Sequence, residues 1–139
     1  MIVVQHLQKS YGQLKAADDV SFEIKEGELF GFLGPNGAGK TTTLSMISGL
    51  LRPDHGEVRV HDIDVWHSPK AAKQLMGLVP QELALYEELT ARENLDFWGG
   101  LYNLQKNKLR ANIDQILQRV GLSDRAKEPV SKFSGGMKR

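Results

Sequence analysis

Apolar positions along the chain change period several times, and each change marks an element. Val20, Phe22 and Ile24 alternate with polar residues, which predicts a half-buried strand, and Ile2 to Leu7 reads as another short one. Lys25-Glu26-Gly27-Glu28 reads as a turn. Leu29-Phe30-Gly31-Phe32-Leu33 is apolar without alternation, the pattern of a strand buried on both faces in a parallel sheet. After a glycine-rich stretch, Thr42 to Ser48 reads as a helix stopped by Gly49. Arg52-Pro53-Asp54-His55-Gly56 is a dense turn signal, followed by strands at Glu57 to Val60 and near Asp62 to Trp66. Ser68-Pro69 predicts an N-cap with proline at the first helical position of a short helix through Gln74. Gly77-Leu78-Val79 predicts a short strand ending at Pro80-Gln81. Thr90-Ala91-Arg92-Glu93 has capping-box spacing and starts a helix towards Leu104. Leu109, Ile113, Ile116, Leu117 and Val120 share one face of an amphipathic helix that Gly121 stops.

At 139 residues the chain is the size of one ordinary domain. Its 40% hydrophobic and 25% charged residues are an ordinary soluble composition, with no apolar run long enough to cross a bilayer and no basic secretion signal at Met1 to Gln5. A cytoplasmic location is expected. Zero cysteines exclude a disulfide framework and a thiolate metal site. The net charge of +1 hides an asymmetry: residues 101 to 139 carry 9 Lys or Arg against 3 Asp or Glu. Without aromatic interleaving or a dense basic run, those cations read as a solvated helix face before a nucleic-acid or membrane patch. The four histidines, His6, His55, His61 and His67, offer no helical pair for a metal and read as surface or strand residues. Asp62 and Asp64, two apart on a predicted strand, are expected on one solvent-facing side.

One stretch changes the picture. Gly34-Pro35-Asn36-Gly37-Ala38-Gly39-Lys40-Thr41 satisfies G-x-x-x-x-G-K-[ST] at every fixed position, between a predicted strand and a predicted helix. Its glycines allow successive N–H groups to turn inward around an anion. Lys40 is expected on the terminal phosphates and the Thr41 hydroxyl on Mg²⁺, with the helix dipole pointing at the same charge. Thr42, the first residue of the predicted helix, is counted with the phosphate-binding residues. The dinucleotide pattern G-x-G-x-x-G does not fit, because the glycines fall at 34, 37 and 39. Upstream, Tyr11 beside Gly12 lies between two predicted strands. It is either a loop aromatic covering a core edge or a flat face for a purine.

Ser134-Gly135-Gly136-Met137, set beside the phosphate loop, resembles the signature of ATP-binding cassette ATPases. Tyr11-Gly12, Gly34 to Thr42, Gly77-Leu78-Val79-Pro80-Gln81 and the signature fall in that family's order, so the resemblance covers the whole chain. It implies an α/β fold with a partial P-loop NTPase core, an N-terminal antiparallel β subdomain and a helical subdomain, divided as residues 1–81 and 82–139. It implies ATP and Mg²⁺ as cofactors, the residue matching Tyr11 against adenine, and Gln81 near Mg²⁺ and a coupling contact. Ser134, Gly135 and Gly136 would bind the γ-phosphate of ATP held by a second nucleotide-binding domain, in a homo- or heterodimer. An integral membrane permease is the other implied partner, which would hold the chain on the inner face of the plasma membrane; no direct nucleic-acid partner is expected. Met137-Lys138-Arg139, with Glu82 to Leu95, resembles exporter-type cassettes.

Members of that family also use an aspartate and a glutamate ending a later apolar strand, then a histidine. No four-residue apolar run here ends in Asp-Glu, and no histidine follows His67. The sequence therefore reads as the N-terminal part of a cassette domain, expected to bind nucleotide weakly and turn it over negligibly. The run 29–33 is expected to expose part of its edge. A soluble cassette protein acting on nucleic acid or the ribosome, and a non-catalytic nucleotide-binding module, stay open as alternatives.

Overall fold

The computed structural model describes residues 1–102 and 104–139, in two compact units, Met1–Leu78 and Val79–Arg139. The first unit is built on an antiparallel sheet of order β2-β1-β3-β4, with β1 at Ile2–Tyr11, β2 at Leu14–Ile24, β3 at His55–Val60 and β4 at Ile63–Asp64. The hairpin β1-β2 is longer than the two short strands expected. It pairs from Ile2 opposite Ile24 to Tyr11 opposite Leu14, around a two-residue turn whose first member, Gly12, has φ +60°. Tyr11 thus closes a strand and does not sit in a loop. The alternation that marks a strand is broken inside this hairpin, because irregularities between Val4 and Ser10 shift its register and His6 and Asp19 both adopt positive φ.

Two helices complete the unit, α1 at Lys40–Ile47 and α2 at Pro69–Gln74. Val4, Leu7, Val58 and Val60 of the sheet pack with Met46 and Ile47 of α1, Val65 and Ala72 into one buried cluster. Each large side chain there contributes about 1.5–3 kcal/mol by leaving water. Asp64 is not on the solvent-facing side with Asp62. It is half-buried, and its Oδ1 accepts from the backbone N–H groups of Trp66 and His67, both at 2.7 Å, closing the turn into α2.

Two expected strands do not form. Residues 29–33 are irregular, with Leu29 99% and Leu33 91% exposed. Gly77-Leu78-Val79 is irregular as well. A parallel strand exists only through its ladder, and among the described residues neither segment pairs with another strand. The aromatics of the first segment still find cover, for Phe22 stacks on Phe30 with ring centroids 5.0 Å apart.

The second unit is helical: α3 at Ala91–Gly100, α4 at Lys106–Arg119 and α5 at Gly135–Lys138, with 3-10 turns at Ser123–Arg125 and Val130–Lys132. The expected capping box is present, the Thr90 hydroxyl accepting from the Glu93 N–H while the Glu93 carboxylate accepts from the Thr90 N–H at 2.8 Å. The helix it starts stops at Gly100, short of Leu104; Asn103 lies outside the described residues. Gly121 follows α4 with φ +70°, as a helix stop requires. Ile113 and Leu117 of α4 meet Ala91, Ala126, Val130 and Phe133 in the core. Buried Asn94 ties Tyr86 to α3, accepting from the Tyr86 N–H at 2.8 Å and donating to its carbonyl at 2.9 Å.

Candidate functional site

The loop 34–39 delivers the chain into α1 through a left-handed residue. Gly39, the N-cap, has φ +81° and ψ +8°, and Gly37 has φ +82°. A Cβ on Gly39 would lie 1.8 Å from the Ala16 carbonyl oxygen of β2, so only glycine passes there. That same choice removes any side-chain cap from α1, and its first turn carries no acidic residue. The amides at the start of α1 are therefore left without an acceptor from a capping side chain, at the positive end of the helix.

Lys40 completes the arrangement. Its Nζ donates to the carbonyls of Gly34 at 2.7 Å and Pro35 at 2.6 Å, which holds the ammonium over the loop. The Pro35 carbonyl also accepts from the Ala38 N–H at 3.3 Å, so Pro35 to Ala38, with Asn36 inside it, is a closed turn. Gly34 to Ala38 and Thr41 are exposed, and Thr42 is half-buried. From Leu29 to Pro53 the chain contains no Asp or Glu, so nothing local opposes a polyanion. An ammonium, a hydroxyl and a glycine-lined run of amides suit a nucleotide phosphate chain and offer no carboxylate ligand for a bare metal.

Tyr11 belongs to the same unit. The residue is 52% exposed at the end of β1, with the Lys9 ammonium 5.9 Å from its ring centroid. The strand opposite carries Ala16, whose carbonyl abuts Gly39, so this hairpin runs from Tyr11 to the phosphate loop. Sequence reasoning missed what holds this end. Lys9 Nζ donates to Asp54 Oδ1 at 2.7 Å and the Ser10 N–H to Asp54 Oδ2 at 2.8 Å. The Lys9 hydrogen bond, then the Ser10 amide, keep the Asp54 carboxyl below its ordinary acidity range. Asp54 was visible only as part of a turn; its partners lie more than forty residues away.

Gln81 and the residues 134–136 belong to the second unit, and Lys40 and Thr41 to the first. Within the second unit, Gln81, Glu87, Gly135, Gly136 and Lys138 line a cleft of ≈ 540 Å³, and the Gln81 carbonyl accepts from Arg139 at 3.3 Å. Ser134 is the N-cap of α5 and its Oγ accepts from the Met137 N–H at 3.3 Å. A separate cavity of ≈ 550 Å³ in this unit is walled mainly by apolar side chains such as Leu95, Leu117, Val130 and Phe133, and offers little to a phosphate.

Residues 17–139 match the ABC transporter family model. The chain is 48% identical over its whole length to the linearmycin resistance ATP-binding protein LnrL of Bacillus subtilis, covering 45% of that protein. It is 42% identical over 99% of its length to the daunorubicin resistance ATP-binding protein DrrA3 of Streptomyces coeruleorubidus, covering 44% of it. A solved structure described as the ATP binding subunit of an ABC transporter superposes on 99% of the chain with a TM-score of 0.81 at 30% identity, over 57% of its own length. The chain thus spans about half the length of the curated relatives it matches.

Proposed function

The chain belongs to the ABC transporter family, and on that premise we propose that it is the ATP-binding portion of an exporter-type transporter ATPase, acting through a separate membrane permease. The observation that carries this reading is the uncapped start of α1, where Gly39 withholds a capping side chain and Lys40 holds an ammonium over the loop. The drug-resistance relatives support the exporter branch.

In this reading Gly34 to Thr42 hold the phosphates of ATP, and Tyr11 offers its exposed ring to adenine. Bound Mg²⁺ would neutralise phosphate charge, with the Thr41 hydroxyl as a ligand from the first unit. Lys40 exchanges its two carbonyl partners for phosphate oxygens, a stronger charge-assisted pairing. Residues 1–81 would serve as β subdomain and loop core and 82–139 as helical subdomain, a division three residues beyond the break between the two compact units at Leu78. Ser134, Gly135 and Gly136 meet nucleotide held by a second nucleotide-binding domain. A protein partner is supported by an exposed aromatic cluster in the second unit, Tyr86, Phe97 and Trp98, with centroids 5.0 Å and 5.3 Å apart along it. Among the described residues no helix is long and apolar enough to cross a membrane; the permease as another chain, and a place on the cytoplasmic face, are what the family resemblance implies.

The test is ATP affinity before and after Lys40→Ala. Removing the ammonium costs at least about tenfold in affinity with the far-ultraviolet circular dichroism unchanged, because among the described residues Lys40 Nζ bonds its own loop, at the carbonyls of Gly34 and Pro35. Equal affinity in the two proteins would refute the reading.

A further inference from the structure

The hydrogen bonds around Tyr11 form a chain that begins far away in sequence. The turn after α1 lies against β1, with the Asp54 N–H donating to the Gln8 carbonyl at 2.9 Å and His55 paired with Gln8. From that anchor both Asp54 carboxylate oxygens are committed, one to Lys9 and one to the Ser10 amide, the two residues that precede Tyr11. The Lys9 side chain is only 16% exposed, so its ammonium is fixed rather than free in solvent, and it lies within cation–π range of the Tyr11 ring. A carboxylate that served only to close its turn would have no reason to grip the strand beside the ring on both oxygens.

We propose that Asp54 is a positioning residue for the purine: it holds Lys9 and the Ser10 backbone so that the Lys9 ammonium braces the Tyr11 ring for base stacking. This rests on Tyr11 being the adenine face. Lys9 acts on the ring from within the protein, and its charge is neutralised by Asp54, so it adds orientation and not phosphate attraction. The consequence is a separation of effects. Losing Asp54 should weaken the contact with the base and leave the contact with the phosphates alone, which a general loss of fold would not do.

The experiment measures affinity of the 139-residue chain for ATP and for inorganic tripolyphosphate, which engages the loop without a base, in wild type, Tyr11→Ala, Asp54→Ala and the double variant. Tyr11→Ala is expected to lower the ATP-to-tripolyphosphate affinity ratio by about 5- to 150-fold, from the worth of one stacked base. Asp54→Ala is expected to lower it about three- to tenfold, and the double variant no further than Tyr11→Ala alone. An unchanged ratio in Tyr11→Ala removes the adenine reading and this proposal with it. A fall in Tyr11→Ala with none in Asp54→Ala, or additive losses in the double variant, overturns the proposal and leaves the adenine reading standing. If Asp54→Ala loses tripolyphosphate as well, Lys9→Met decides. A lowered ratio with tripolyphosphate binding intact supports the proposal, and an unchanged ratio overturns it.

Discussion

The starts of α1 and α3 answer the same physical problem in opposite ways. Both helices begin with amides that have no partner inside the helix. At α3 the chain satisfies its own donors: Thr90 accepts from Glu93, and Glu93 returns the bond to the Thr90 N–H and hydroxyl. At α1 the N-cap is a glycine with no side chain, held left-handed under a carbonyl of β2 that no Cβ could approach. The first start is built to stabilise its helix. The second forgoes the side-chain cap, at about a few tenths of a kcal/mol for glycine in place of a good cap, and leaves its amides open. The start of α5 lies between them, with glycines at its first two positions and a serine cap whose bond to Met137 is 3.3 Å long.

The largest effect is expected where the open start is forced to carry a side chain. Gly39→Ala places a methyl against Ala16 in a left-handed conformation, and should destabilise the first unit by on the order of 2–3 kcal/mol. A fall in thermal midpoint and loss of ATP binding would show it. Unaltered stability would mean that the loop has room to move. A smaller effect is expected at the closed start. Thr90→Ala removes the cap of α3 at about 1 kcal/mol, read by denaturant unfolding, and should leave ATP affinity unchanged because no proposed phosphate contact involves it.

The smallest effect is one of pH. The Thr90 amide, then its hydroxyl, hold the Glu93 carboxyl below its ordinary value. A carboxylate whose folded pKa is depressed adds stability above the unfolded value, about 4.3, and that contribution is lost as pH falls through the lower folded value. Acidification should therefore fray α3, and Glu93→Gln should flatten the dependence below about pH 4.5. An identical acid profile in the Gln variant would assign the loss to other carboxylates, among them Asp54 and Glu128, which are also held low by ion pairs.

Much of this contrast was legible in the residues themselves. Capping at Thr90 and Glu93, the stop at Gly121, proline at the start of α2 and the glycine pattern of the loop are all local, and a local pattern survives whatever the rest of the chain does. What escaped was non-local. The apolar run 29–33 has the composition of a buried strand, but a strand needs a neighbour, and its isolated residues stay irregular. The hairpin was underestimated because bulges near His6 and Asp19 scramble the period-two signal on which strand reading depends. Asp64 read as a solvent-facing acid because spacing says nothing about which amides will turn towards it. In the site, the identity of Gly39 followed from the motif, whereas its reason, the Ala16 carbonyl, and the grip of Asp54 on Lys9 emerge only when distant segments meet.

The most direct test of the open start is residue-resolved nuclear magnetic resonance of the backbone amides during titration with ATP and Mg²⁺. The account predicts that the largest shifts fall on the amides of Gly37 to Thr41, while those of Ala91 to Glu93 at the closed start barely move. Comparable shifts at both starts, or none at Gly37 to Thr41 under saturating nucleotide, would contradict it.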